Sequence, residues 1–445
     1  MSASGPVPAG HPSSLARQLG LFSVTMLVVG EVLGVGIFLT PATMARSLGS
    51  PFWILLVWLV MGLMAVTGAL CYGALSARYP EAGGGYVYLR EAWGRGPAFL
   101  YGWKCLFVLD PGLTAAFAVG LSSYAATIVP LDTVARKVLA VAAIALVAGL
   151  NVFGVRLGAG LTRVLGIAKL ALLAVLIGWG VVLGLGEWSH FLPFALQRPG
   201  SAPLLRALGA AYVAAFFSFG GWWDAAKVAG ETRDPARTMP RALILGVAVV
   251  TLVYVLTSAA FVYLVPLDRA TSGEAFAAQA GEVLFGPAGG SVFAVVVIIC
   301  VFGSLASFMT GAPRVYYAMA RDGLFLRSVA AVDPRFGTPV RAIILQATLA
   351  AVLVMLGTFD TIIAYFLFVT VFFVTLTAAG VLRRGIRAPG HPLAIAVFLA
   401  LSALLLFLLA ANAPAQALLG TAVVALGWPV YRLAFSSAST PGAAA

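Results

Sequence analysis

The chain has 445 residues, of which 62% are apolar or aromatic and only 9% charged, against roughly 25% charged in an ordinary soluble domain. With a mean hydropathy of +1.03, that composition excludes a soluble enzyme, a disordered protein and a secreted disulfide scaffold. The net charge of +12 is carried by basic residues scattered singly, without an aromatic-plus-basic module, which excludes nucleic acid as a partner and leaves an all-α integral membrane protein embedded in the lipid bilayer.

Residues 1–20 are polar, rich in Ser, Pro and Gly, and carry no apolar core; they read as a disordered tail rather than a signal peptide. Beyond them, a crossing helix needs about 20 apolar residues. That rule predicts twelve spans, at 21–46, 52–77, 97–129, 134–153, 161–185, 204–228, 241–264, 289–319, 340–357, 361–382, 392–411 and 415–434, with a short tail over 435–445. Strand-length alternation is absent, which argues against a barrel. The longest connections, 265–288 and 320–339, are too short for a soluble domain, so function must sit in the bundle. With a cytoplasmic N-terminus, 19 of the Lys and Arg residues fall on inner segments and 6 on outer ones. By the positive-inside rule, both termini are cytoplasmic and the protein is a multi-pass component of the cytoplasmic membrane.

Cys71, Cys105 and Cys300 lie inside apolar runs without metal-ligand spacing and read as small core residues. No metal or other cofactor is implied, and no coiled coil or partner motif marks a companion subunit.

Two spans carry glycines at mid-membrane depth: Gly30-Glu31-Val32-Leu33-Gly34-Val35-Gly36-Ile37-Phe38 in the first, and Phe217-Ser218-Phe219-Gly220-Gly221-Trp222 in the sixth. Glycine costs about 1 kcal/mol relative to Ala within a helix, and unwound backbone is tolerated in a bilayer only where it is buried or lines a cavity. Spans 1–5 (21–185) and 6–10 (204–385) form two sets running in opposite directions. Spans 1 and 6 are their equivalent members, and matched interruptions in inverted halves point to a secondary-transporter site. Free N–H groups near Gly36, Ile37 and Phe38, with Gly34 and Val35 before them, would attract a carboxylate. The carbonyls of Phe217, Ser218 and Phe219, ahead of Gly220, Gly221 and Trp222, would accept bonds from an ammonium. The alternative is that these glycines only let helices pack closely.

These residues resemble the amino acid–polyamine–organocation superfamily of permeases, including the light chains of heteromeric amino acid transporters. The resemblance rests on Gly34-Val35-Gly36-Ile37-Phe38, on Pro80-Glu81-Ala82-Gly83-Gly84-Gly85-Tyr86-Val87-Tyr88 with Glu91-Ala92-Trp93-Gly94, on Gly220-Gly221-Trp222 through Glu231, Asp234-Pro235 and Pro240-Arg241, and on Arg314 with Ala320-Arg321-Asp322-Gly323. It implies a five-plus-five inverted-repeat (LeuT-like) fold with broken helices 1 and 6. It also implies two peripheral helices over 391–434 and transport of an amino acid or related amine by alternating access. By the same likeness, Gly34–Phe38 would bind the α-carboxylate and Phe217–Gly221 the α-amine, with Phe217 gating the site. Lys169 would stand where other relatives hold a sodium ion, implying sodium independence. Val35 replaces a small hydroxyl residue of the family pattern, and Glu31, Trp223 and Lys227 also depart from it.

Ionisable residues at membrane depth are functional candidates. Lys169 could instead snorkel to the interface. Glu31 could carry a proton, pair with Lys169, bind a cationic substrate, or sit protonated against a neighbouring helix. Asp110, before Pro111, could line the cavity or accept bonds freed by the proline. Asp224 and Lys227, three residues apart, share a helix face and read as neutralising each other. Lys104 reads as snorkelling. Trp222 and Trp223 could shrink the pocket or stack on an aromatic substrate.

The leading function is therefore an amino acid permease, with a polyamine or other organic-amine carrier of the same fold as the alternative. An enzyme is disfavoured because His11, His190 and His391 all lie in tails or loops. A channel is disfavoured because the repeat is internal and twofold rather than a ring of subunits.

Overall fold

The computed structural model describes residues 15–34, 36–269, 276–356 and 359–435. Among these the chain is helical, with one isolated strand-like bridge between Leu19 and Thr232. The helices are α1 (Leu21–Val32), α2 (Gly36–Leu48), α3 (Pro51–Arg78), α4 (Gly85–Trp93), α5 (Arg95–Lys104), α6 (Asp110–Ala125), α7 (Thr133–Val152), α8 (Val155–Val182) and α9 (Leu204–Phe219). They continue as α10 (Pro235–Leu264), α11 (Phe276–Phe285), α12 (Gly289–Gly311), α13 (Pro313–Arg321), α14 (Val340–Leu356), α15 (Phe359–Arg383), α16 (Leu393–Asn412), α17 (Pro414–Ala425) and α18 (Gly427–Ala434). Nine helical stretches among the described residues are long and apolar enough to cross a membrane. The α1–α2 pair, bent by 52°, makes a tenth. The shorter apolar stretches Val340–Leu356 and Leu367–Arg383, in α14 and α15, stand where the ninth and tenth spans were expected.

α1 is apolar all round, as suits a helix enclosed on every side, and everything from Val24 to Val32 is buried. Small residues let its neighbours approach. A Cβ on Gly246 of α10 would stand 2.5 Å from the Cβ of Val28, and one on Gly30 would meet the Ser307 side chain of α12. α3 and α10 cross in the same way: a Cβ on Gly73 would lie 2.8 Å from the Cα of Pro240. The outer helices instead turn Leu146, Val164, Leu404 and Phe407 outward, as lipid-facing surfaces do.

Local irregularities follow from the sequence. α5 passes into α6 through a π-helical turn at Cys105–Leu109, where the Asp110 N–H reaches back five residues to the Cys105 carbonyl. Pro111 has no N–H to give and its ring crowds the preceding turn, so the wider turn relieves it. The segment after α9 is a 3₁₀ run, Asp224–Glu231, longer than the usual three or four residues. It is held by the loop before α4, where Gly83 N–H donates to the Lys227 carbonyl at 2.9 Å. Gly84, at φ 53°, leaves no room for a side chain against the Lys227 backbone.

The sequence motifs over 80–94, 231–241 and 314–323 meet at one end of the bundle. Arg90 pairs with Asp322 at 2.7 Å, Glu91 at 2.9 Å and Glu81 at 3.1 Å. Tyr86 donates to Asp322 at 2.8 Å; burial, reinforced by the Asp322 charge, pushes its hydroxyl well above the usual range and keeps it a donor. Deeper in, Glu231 and Arg314 form a fully buried bidentate pair at 2.8 and 3.1 Å. The Glu231 carbonyl accepts from the N–H groups of Gln18 and Leu19, so residues 15–20, expected to belong to a loose tail, are tied to the bundle; residues 1–14 lie outside the described part. Lys104 does not snorkel: it is 1% exposed and sits 4.9 Å from the Tyr101 ring centroid. Cys71, Cys105 and Cys300 are free and buried.

Gly246→Ala is expected to force α1 and α10 apart and cost about 1–3 kcal/mol. Gly178→Ala, on α8 with open space around it, should leave stability unchanged or raise it. Thermal unfolding midpoints in detergent check both.

Candidate functional site

α1 stops at Val32 and α2 starts at Gly36. α9 stops at Phe219, followed by turns and then the 3₁₀ run. Each interruption leaves backbone groups without intrahelical partners, and in a bilayer these must be met from within the protein. At the end of α1 the donor is Lys169 of α8. Its ammonium donates to the carbonyls of Gly30 and Leu33, both at 2.8 Å, and to Ser304 Oγ at 3.0 Å. A cation at a helix C-terminus also complements the helix dipole. Ser304 Oγ donates in turn to Gly30 at 2.9 Å. Lys169 is fully buried, so the interfacial, snorkelling alternative does not hold.

The hydroxyl of Tyr254 on α10 meets both interruptions, lying 2.6 Å from the Ser218 carbonyl and 3.2 Å from that of Val32. The Ser218 carbonyl, expected to be free, therefore already has one donor; an oxygen with two lone pairs can take a second. Tyr254 is stacked between Trp58 and Phe219, with ring centroids at 4.4 and 5.0 Å. Thr40 and Ser218 hydrogen-bond across the α2–α9 contact. A Cβ on Gly36 would lie 2.6 Å from Ser218 Oγ, so close packing and an open backbone coincide at this glycine. Gly221 takes φ 111°, a conformation that side chains disfavour, and faces Glu31.

Both breaks open on one cavity of about 90 Å³. Of the residues expected from sequence, Glu31, Gly34, Gly36, Phe217, Ser218, Gly220, Gly221, Trp223 and Asp224 line it. Five others do not. Ile37 and Phe38 are buried, Phe38 edge-on to Phe293 at 5.0 Å; Phe219 lies against Tyr254. Trp222 turns away from the cavity, packing edge-on to Tyr72 and Phe398 over Gly68, so it neither shrinks the cavity nor faces its contents. Asp110 stands behind the wall that Leu109 forms. Val35 lies outside the described residues. Trp223 stacks on Phe216 at 5.8 Å and 14°, and Phe217 is 44% exposed. The remaining apolar walls come from Leu109, Leu113, Phe117, Phe308 and Leu367. These sequence reasoning missed, because spans of uniform hydropathy do not reveal which face turns inward.

Behind the cavity lies a set of buried charges. Lys227 is 2.9 Å from Asp224 and 3.4 Å from Asp110, and Tyr316 donates to the other Asp110 oxygen at 2.9 Å. The expected Asp224–Lys227 neutralisation is present and extends to Asp110, whose carboxylate bonds side chains rather than backbone freed by Pro111. Glu31, 5% exposed, has no hydrogen-bond partner on either carboxylate oxygen.

Replacing Lys169 by Met is expected to leave the Gly30 and Leu33 carbonyls sharing Ser304 Oγ, at 2.9 and 3.4 Å, as their remaining side-chain donor, at about 1–3 kcal/mol for a group left unsatisfied. A lower unfolding midpoint together with loss of transport is the expected result, read by thermal denaturation and vesicle uptake.

In sequence the chain is similar to known amino acid permeases. The amino acid permease family profile matches residues 19–432. The serine/threonine exchanger SteT of Bacillus subtilis is 28% identical over 399 residues, covering 86% of this chain and 87% of that one. The b(0,+)-type amino acid transporter 1 of Oryctolagus cuniculus is 29% identical over 376 residues, 83% of this chain and 76% of its own. The large neutral amino acids transporter small subunit 2 of Homo sapiens is 29% identical over 439 residues, 95% of this chain and 81% of its own.

Proposed function

The chain belongs to the amino acid permease family, and on that premise we propose that it carries amino acids across the cytoplasmic membrane by alternating access. It is a transporter rather than an enzyme. In this reading the chain makes twelve spans as two inverted five-helix halves, residues 21–185 and 204–385, followed by a peripheral pair over 391–434, with both termini in the cytoplasm. The observation that carries it is that two interrupted helical stretches, α1 with α2 and α9 with the 3₁₀ run after it, open on the same cavity.

The chemistry of the helix ends supplies the recognition. The amino end of α2, beginning at Gly36, offers unpaired N–H groups and a positive dipole end to the substrate carboxylate. The last carbonyls of α9, at Phe217, Ser218 and Phe219, offer acceptors to the substrate ammonium. Phe217, half-exposed at the cavity, closes over the occupant. Lys169 is a built-in cation at the end of α1, which removes the need for a bound sodium ion there. Exchange of one amino acid for another is favoured over uniport, in keeping with the name of the Bacillus subtilis relative.

Purified protein in proteoliposomes, in sodium-free buffer, is expected to take up labelled amino acids saturably and only when amino acid is present inside; added sodium should change nothing. Absence of flux for every amino acid, from protein that unfolds cooperatively, would overturn the assignment. Gly36→Ala should cut uptake at least tenfold, because the added methyl strikes Ser218 and pushes α2 off α9.

A further inference from the structure

Among the described residues, Glu31 is the cavity-lining carboxylate that the surrounding protein leaves unanswered. Its neighbours are accounted for. Lys227 is held between Asp224 and Asp110, with Tyr316 on the far side of Asp110. Lys169 is committed to Gly30, Leu33 and Ser304. Glu31 is buried, lines the cavity, and has no partner on Oε1 or Oε2. An isolated buried carboxylate is costly, so such groups are found paired with a cation or holding a proton.

We propose that Glu31 receives a positively charged nitrogen on the substrate's side chain, so that the substrate class is amino acids with a second, distal ammonium or guanidinium group. This rests on the amino acid reading above and names the specificity of the same cavity. The rest of the lining fits such a molecule. Gly36 and Ser218 lie at the helix interruptions, where the α-carboxylate and α-amine would be held. Glu31 and Asp224 supply the acidic wall, and Leu109, Leu113 and Phe117 offer an apolar surface for an aliphatic stem. Asp224 adds a second acceptor, its charge shared with Lys227.

Lysine and norleucine differ by the distal ammonium alone, which makes them the discriminating pair. Binding to the intact purified transporter is measured by competition against a labelled amino acid that it exchanges. Lysine is expected to bind at least tenfold more tightly than norleucine, the scale of a hydrogen bond to a charged group. Glu31→Gln, of nearly the same shape, should bring that ratio close to one. Equal affinity of the wild type for lysine and norleucine, with neutral amino acids still exchanged, would overturn the proposal and leave amino acid transport standing; Glu31 would then be a proton site. A lysine preference that survives in Glu31→Gln would also overturn it. Putrescine binding as tightly as lysine would support the cation site while removing the role of the α-carboxylate. No binding or exchange of any amino acid would instead remove the transport reading on which the proposal rests.

Discussion

A helix that stops halfway through a bilayer exposes carbonyls and amides that no water reaches, and the rest of this molecule is arranged around that constraint. The cost of leaving each group unmet is several kcal/mol in hydrocarbon. At the end of α1, Lys169 and Ser304 meet it; between α1 and α9, Tyr254 meets it. Those donors come from α8, α12 and α10, the helices packed closest around α1. The glycine contacts at Gly30 and Gly246 bring these helices near enough for short side-chain bonds. Groups with no donor from the protein are then the ones open to a ligand.

The same economy governs the charges. A buried ion pair is weak as a source of stability but expensive to break, and Glu231–Arg314, Lys227–Asp110 and the partly exposed Arg90–Asp322 each join segments distant in sequence. Glu231 to Arg314 ties the 3₁₀ run to α13, and its backbone holds the segment before α1. Arg90 gathers Glu81, Glu91 and Asp322. Lys227 joins the 3₁₀ run to the start of α6. These links tie α4, α6, α13, the 3₁₀ run and the segment before α1 to one another.

Much of this was legible in the chain. Hydropathy located nearly every apolar helix, and the glycine clusters located both interruptions, because each signal reflects a cost that lipid imposes on any sequence. The pairing of Asp224 with Lys227 followed from helical spacing. What could not be read were facts of rotamer and rotation. Trp222 and Trp223 are adjacent and chemically identical, yet one packs toward α3 and α16 and the other faces the cavity. Lys104 and Lys169 both looked able to reach the interface, but both are buried, Lys104 against Tyr101 and Lys169 among groups far away in sequence. α11, within a connection read as a loop, carries too weak a pattern to stand out beside the spans. The π turn before Pro111 and the 3₁₀ run after Gly221 arise from proline geometry and from packing against the loop before α4, neither of which shows in periodicity.

Tyr254 carries a mechanical consequence. One phenolic hydroxyl lies within reach of both stumps, Val32 on the first interrupted helix and Ser218 on the other, and its ring is wedged between Trp58 and Phe219. The single phenolic proton is shared between the two carbonyls, so a displacement that carries the stumps together keeps it shared, whereas one that slides either past the other leaves it with one. The hydroxyl is thus a common tether between the two sides of the cavity, which neither stump can leave alone without giving up its share of that proton.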